Sequence, residues 1–271
     1  MQIERILEGL RREIHLLNGP NPPLEQIQRL HFFELGGLFH VEYYGEAGGE
    51  GLDLFTAGIS NEAVAPAIAA IRISGPDEGY NGTRGFELAP LAAAATPFAN
   101  LRYLHVQQIQ PTDHNRMIIG SDYDECGVLA EIAAKAPVLT ALTVPSAPSR
   151  EFFGVSLPHL AYLNVDAGYD TQDFILNLSQ SAGFPNLTCL EWGEYCESYM
   201  DDWRERCTPL DHYKSLFRSE AFRPVMRFVF RNPVCSNSEL AELKAMRPGL
   251  QMLMVRSTGE YVNSRTASAG P

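Results

Sequence analysis

The sequence lacks a CxxC pair, a long apolar run and a basic run, and each absence excludes a class of protein. Its five cysteines are an odd set with wide spacing, so neither a zinc ribbon nor a disulfide framework is predicted. No apolar stretch approaches the roughly 18 residues that cross a bilayer, and the first turns of the chain do not read as a secretory signal. We therefore expect a cytoplasmic protein.

Basic residues are scarce relative to acidic ones. The chain has 33 acidic and 21 basic side chains, which give a formal net charge of −12. This charge disfavours binding to nucleic acid or to anionic membranes. Common enzyme signatures are missing as well: a glycine-rich phosphate loop, a GxSxG elbow and an HExxH helix. The sequence thus predicts no nucleic-acid partner, no membrane, no cofactor, no metal and no catalytic residue.

A short phrase, apolar-x-x-apolar-x-apolar, recurs along the chain, usually after a proline. Its copies begin at Ile68, Leu101, Leu139, Leu160, Leu187, Val225 and Leu250. The last apolar-x-apolar step places two side chains on one face of a short strand, because successive strand residues point to opposite faces. Each copy therefore predicts a turn followed by a strand.

Helical patterns lie between several of these phrases. The apolar spacing predicts helices over Asp124 to Ala136 and over Thr171 to Ala182, the second ended by Gly183. Ser236 and Glu239 have the spacing of a capping box in front of a third helix. Alternating strands and helices predict the α/β class with a mostly parallel sheet.

The phrases resemble the core of leucine-rich repeats of the helix-bearing, ribonuclease-inhibitor-like kind, over about residues 61 to 258. The segments Leu160 to Tyr169 and Phe184 to Tyr195 also resemble uncharacterised bacterial cytoplasmic proteins of that superfamily. The resemblance implies a solenoid with parallel strands on a concave face and helices on a convex face. A compact, non-solenoid α/β domain is the alternative.

The chain departs from this family in two ways, so an irregular solenoid is expected. Phrase spacing varies from 21 residues, between Leu139 and Leu160, to 38, between Leu101 and Leu139. Family members place an asparagine or cysteine three residues after the last apolar position, where its side chain satisfies the turn. The matching residues here are Pro76, Ile109, Ala147, Gly168, Tyr195, Pro233 and Thr258. Other groups must therefore form the hydrogen bonds that the backbone of these turns needs.

Three regions are predicted. Residues 1–60 form an N-terminal cap that protects the end of the array, with an amphipathic helix over 2–17, a strand or hairpin over His31 to Tyr44, and a flexible loop over Gly45 to Gly51. Residues 61–258 form the solenoid, and 259–271 form a flexible tail.

The predicted function is that of a non-enzymatic protein-interaction module or scaffold. Its candidate binding residues lie on the concave face and in the loops after the strands: His105, Gln107, Thr143, Asn164, Asp166, Tyr169, Asp170, Glu191 and Glu194. If neighbouring units stack, Asn164 lies beside Glu191, and Asp166 lies beside Gly193. A protein partner follows from the extended surface that stacked repeats present.

Two other functions stay open on the sequence. Acidic loops around Asp166, Asp170 and Glu194 would suit a metal-dependent or hydrolase-like enzyme, although capping of the following helix by Asp170, Thr171 and Asp173 is the simpler explanation of this loop. An exposed edge of the repeat array would suit a homo-oligomer. The long insertion from Met200 to Phe222 predicts either an aromatic recognition face or a helix packed on the outside of the array.

Overall fold

The computed structural model describes residues 2–77, 82–110, 112–120, 125–195 and 201–256. Strands and helices alternate along these ranges, as the α/β class requires. The flexible tail predicted over 259–271 lies outside the described residues.

The chain begins with helix α1 (Gln2–Leu16), whose apolar stripe buries Leu7, Leu10 and Ile14. Strands β1 (Arg29–Leu35) and β2 (Leu38–Tyr44) then form an antiparallel hairpin. These elements confirm the predicted helix and hairpin.

Helix α2 (Glu50–Ile59) was not predicted, and it begins inside the segment expected to be a flexible loop. Gly45 and Gly51 are buried there because they pack against the Tyr43 side chain. A Cβ atom would lie 2.3 Å from the Tyr43 hydroxyl at Gly45 and 2.8 Å from it at Gly51. These glycines provide close packing rather than mobility.

The last apolar-x-apolar step of each of the seven phrases lies on a strand of the structure. The remaining elements are β3 (Ile68–Ser74), β4 (Gly82–Phe86), α3 (Ala89–Ala93), β5 (Tyr103–Val106), β6 (Asn115–Ile119), α4 (Val128–Ala134), β7 (Ala141–Val144), β8 (Tyr162–Asp166), α5 (Phe174–Gln180), β9 (Cys189–Gly193), α6 (Leu210–Arg218), β10 (Arg227–Arg231), α7 (Asn237–Met246) and β11 (Gln251–Val255).

Nine strands of the described chain form one sheet in the order β1-β2-β3-β5-β7-β8-β9-β10-β11. Every neighbouring pair after the hairpin is parallel. Strands β4 and β6, which the sequence did not predict, form a second, parallel pair. The predicted α/β class with a mostly parallel sheet is confirmed.

Helices and apolar strand residues share one hydrophobic core. Trp192 on β9 is fully buried and stacks on Phe174 of α5, with ring centroids 4.7 Å apart. The opposite face of the sheet, here called the open face, carries a row of residues that lie side by side on β3, β5, β7, β8 and β9. They are Arg72, His105, Thr143, Asn164 and Glu191.

Backbone hydrogen bonds hold the start of each strand. In the turn before β5, the Leu101 amide donates to the Phe98 carbonyl at 3.0 Å, and the first apolar residue of the next five phrases makes the same bond. Beyond the turn, the Ala161 and Tyr162 amides both donate to the Thr140 carbonyl of the preceding unit, at 2.9 and 3.1 Å. The same pairing joins β5 to β7, β8 to β9 and β9 to β10. We call this series the backbone ladder.

Helix boundaries differ from the sequence prediction at α4 and α5. Helix α4 covers Val128–Ala134 rather than Asp124 to Ala136, of which Asp124 lies outside the described residues. Helix α5 begins at Phe174, and Asp173 before it has a left-handed φ of 49° and no side-chain capping bond. Gly183 does not cap the end of α5, which Ser181 follows; a Cβ on Gly183 would lie 2.3 Å from the Val155 carbonyl oxygen. The predicted capping box of Ser236 and Glu239 is present at α7.

The long insertion forms helix α6, whose Tyr213, Leu216 and Phe217 are buried. These side chains belong to the hydrophobic core. This placement favours the packed helix over the aromatic recognition face, for the part of the insertion that the structure describes.

Candidate functional site

A polar cluster lies on the open face at the carboxyl ends of β8, β9 and β10. Asp166, Gly193 and Arg231 are register partners on these strands. The Arg231 guanidinium donates to Asp166 Oδ1 at 2.7 Å and to the Val165 carbonyl oxygen at 3.3 Å. Its other terminal nitrogen lies 3.3 Å from Glu191 Oε2. We call Asp166, Glu191 and Arg231, together with Asn164, the polar cluster.

Gly193 makes the ion pair between Asp166 and Arg231 sterically possible. It lies between them in the sheet, and a Cβ atom on it would be 2.0 Å from Asp166 Oδ1 and 3.3 Å from Arg231 Nε. Any larger residue would therefore push these side chains apart.

Asn164 brings an unsatisfied acceptor to the cluster. Asn164 is 8 % exposed, and it lies beside Glu191 in the register of β8 and β9. Within the described part of the chain, the Asn164 Oδ1 atom is buried without a hydrogen-bond partner. Leaving a buried acceptor unsatisfied costs about 1–3 kcal/mol, so a donor that reached this oxygen would be bound favourably.

Tyr162 and Cys189 lie two residues before Asn164 and Glu191 on the same strands. Burial, and then the Glu191 charge, raise the pKa of Tyr162 to about 12. The same two causes raise the pKa of Cys189. Both groups therefore stay protonated at neutral pH, so the Cys189 thiol is not activated as a nucleophile.

The other predicted site residues are held by separate contacts. His105 and Thr143 continue the open-face row toward β3. Gln107 Oε1 accepts from the Gly75 amide at 2.9 Å. The Tyr169 hydroxyl lies 2.5 Å from Thr83 Oγ1, and Asp170 Oδ1 accepts from the Gln172 amide at 2.6 Å.

Glu194 points into the core rather than toward the open face. Glu194 is 3 % exposed, and its Oε2 atom accepts a hydrogen bond from the Tyr213 hydroxyl at 2.5 Å. Its Oε1 accepts from the amides of Tyr195 and Thr208, at 2.9 and 3.2 Å. Glu194 therefore joins β9 to the insertion that contains α6.

The acidic residues of the alternative enzyme site are not brought together. Asp166 pairs with Arg231, Asp170 is bonded within its own loop, and Glu194 is in the core. Among the residues that the structure describes, no three His, Cys, Asp or Glu side chains are placed to hold a metal ion.

Arg231 and Tyr162 are members of this site that sequence reasoning missed. Tyr162 lies two residues before Asn164, so strand alternation alone would have placed it on the open face. Arg231 ends β10 directly after its apolar residues, and nothing in the local sequence distinguishes it from the other arginines. Only the register of β9 with β10 places it opposite Gly193.

Comparison of the sequence with known protein families gives no match, and comparison with curated proteins gives none either. Within the described residues, no helix has the length and apolar character needed to cross a membrane.

Proposed function

We propose that the chain is an irregular leucine-rich-repeat-like solenoid, with the open face on its concave side and the helices on its convex side. Two observations support this architecture. Successive strands of the parallel part of the sheet lie next to each other in chain order, apart from the separate β4–β6 pair. The same turn bond precedes each strand from β5 through β11, again leaving out β6. A repeating unit accounts for both.

We further propose that the protein is a non-enzymatic interaction module whose open face binds a protein partner. The observation that carries this proposal is the polar cluster, where partly buried charges adjoin the unsatisfied Oδ1 of Asn164. Interfaces use such partly desolvated polar groups for orientation and specificity.

The chemistry of the cluster favours recognition over catalysis. Asp166, Glu191 and Asn164 supply acceptors and Arg231 supplies donors, while the protonated Tyr162 hydroxyl lies beside the cluster and interacts with Glu191. A protein surface offers both kinds of group in a fixed arrangement. The cluster has two carboxylates and one guanidinium, so a partner with a matching basic or amide donor is preferred.

The test is affinity purification of the tagged full chain from an extract of its own cells, followed by quantitative mass spectrometry. The double variant Asn164→Ala, Glu191→Gln removes the unsatisfied acceptor and one carboxylate. We expect at least one protein partner to be depleted by about tenfold, which corresponds to a loss of about 1.4 kcal/mol.

Glu220→Gln is the matched control, because the Glu220 carboxylate is highly exposed in an ion pair with Arg223. Thermal unfolding verifies that both variants are folded. Recovery of an unchanged set of proteins with the double variant would contradict the proposed binding face.

A further inference from the structure

A row of ionisable side chains crosses the open face at the hairpin end of the sheet. His31 lies beside Glu42, Glu42 beside Arg72, and Arg72 beside His105. Arg29 lies two residues before His31, and its guanidinium is 3.9 Å from the centre of the Tyr44 ring. All these side chains line one cavity of about 610 Å³, here called the row cavity.

The charge of the row cavity is opposite to that of the protein. Among the described residues that line it, Glu42 is the single acidic side chain, while Arg29 and Arg72 are cationic. Glu42 Oε1 lies 3.3 Å from an Arg72 nitrogen, which leaves other guanidinium donors of Arg72 available. A positive cavity in a chain of net charge −12 favours an anionic ligand.

A second cavity, of about 470 Å³, lies between α1 and β1 and is here called the edge cavity. It shares Arg29 and His31 with the row cavity, so the two adjoin. Leu16, which is 79 % exposed, contributes apolar surface to it, whereas Leu30 in its lining is 1 % exposed. Arg11, Arg12 and His15 complete its lining, in which Arg11 is already paired with the nearby Glu8 carboxylate.

We propose that the two cavities form one binding site for an amphipathic organic acid. Its carboxylate lies in the row cavity against Arg72 and Arg29, and its aliphatic part lies in the edge cavity against Leu16. Each cavity is within the range of about 300–1,000 Å³ that is typical of small-molecule sites. The site is separate from the polar cluster on β8, β9 and β10, so it does not depend on the proposed protein partner.

The test is calorimetric titration of the full chain with octanoate, below the concentration at which octanoate forms micelles. Octan-1-ol, which lacks the charge, and acetate, which lacks the chain, are titrated in parallel. We expect saturable binding of one octanoate and much weaker binding of the other two probes.

Three variants test which residues form the octanoate site. Arg72→Gln should weaken octanoate binding about fivefold, as expected for loss of a partly exposed ion pair. Glu42→Gln should tighten it, because the competing carboxylate is removed; a misfolded variant would not give this result. Arg223→Gln, which changes a highly exposed arginine paired with Glu220, should bind octanoate as the wild type does.

Each of the following outcomes would overturn the inference. If octanol bound as tightly as octanoate, the carboxylate charge would have no role in binding. If acetate bound as tightly as octanoate, the apolar edge cavity would have no role. Absence of saturation at millimolar octanoate, or a Glu42→Gln variant without tighter binding, would exclude the site.

Discussion

Gly193 and Asp166 lie so close on neighbouring strands that a Cβ atom on Gly193 would be 2.0 Å from Asp166 Oδ1. We expect Gly193→Ala to displace Asp166 from Arg231 and to lower the free energy of unfolding by about 1–3 kcal/mol, as overpacking commonly does. Urea unfolding measures this loss. Gly249→Ala is the control, because nothing lies within 4 Å of its Cβ position. Equal losses in the two variants would refute the steric argument.

The Tyr213 hydroxyl joins Glu194 to Trp192, at 2.5 Å from Glu194 Oε2 and 2.9 Å from Trp192 Nε1. Tyr213→Phe removes this donor while leaving the buried carboxylate in place. We expect a loss of about 1–3 kcal/mol in the free energy of unfolding and a change in tryptophan fluorescence. Tyr103→Phe serves as the comparison because Tyr103 is 50 % exposed, and it should leave both quantities unchanged. A Tyr213→Phe variant as stable as the wild type would show that the carboxylate does not need this donor.

The capping box of α7 predicts a pH-dependent contribution to stability. Hydrogen bonds from the Ser236 backbone and then from its side chain lower the pKa of Glu239 below 4.5. A lowered pKa in the folded state stabilises the fold above pH 4.5, and this contribution is lost as the pH falls through the folded-state pKa. We expect Ser236→Ala to cost about 1 kcal/mol at neutral pH and less in acid, measured by urea unfolding across that range.

Ser215→Ala is the control for this prediction, since the Ser215 hydroxyl bonds to the Asp211 carbonyl inside α6 and caps nothing. A cost of Ser236→Ala that is the same at pH 7 and at about pH 3 would contradict a role for the Glu239 charge.

His105 predicts a second pH dependence. Burial, and then the Arg72 charge, lower the pKa of His105 below 6.5, while Glu42 opposes the shift. The unfolded chain therefore takes up a proton first, and stability falls as the pH decreases from 6.5 toward the folded-state pKa. We expect His105→Gln to reduce the slope of unfolding free energy between about pH 7 and about pH 5. His159→Gln, at an exposed position, should keep the wild-type slope. A slope that is unchanged in His105→Gln would rule out this histidine as its source.

The strands could be predicted from the sequence because their signal is local. An apolar-x-apolar step places two side chains on the core face, and all seven such steps lie on strands. Stacking in chain order then gave the neighbours on the open face, and the predicted pairs Asn164–Glu191 and Asp166–Gly193 are confirmed. Helix α2 was missed because the glycines of Gly45 to Gly51 resemble a flexible loop, whereas they allow packing against Tyr43.

Strands β4 and β6 have no such signal. Glycine and arginine within Gly82–Phe86 interrupt any apolar alternation, and the buried run Asn115–Ile119 includes polar residues. The burial of Glu194 was not predictable either, because it depends on Tyr213 and Thr208, which lie 19 and 14 residues further along the chain in the insertion. Such groupings follow from tertiary packing and leave no local pattern.

The backbone ladder uses only main-chain amides and carbonyls, which nearly every residue type supplies. The spacing of neighbouring strands at these points therefore does not depend on which side chains the open face carries. Substitutions on that face can change what it binds while the strands that present it stay in position. The position of the strands is thus set separately from what the open face binds, although the stability of the fold still depends on close-packed positions of that face such as Gly193.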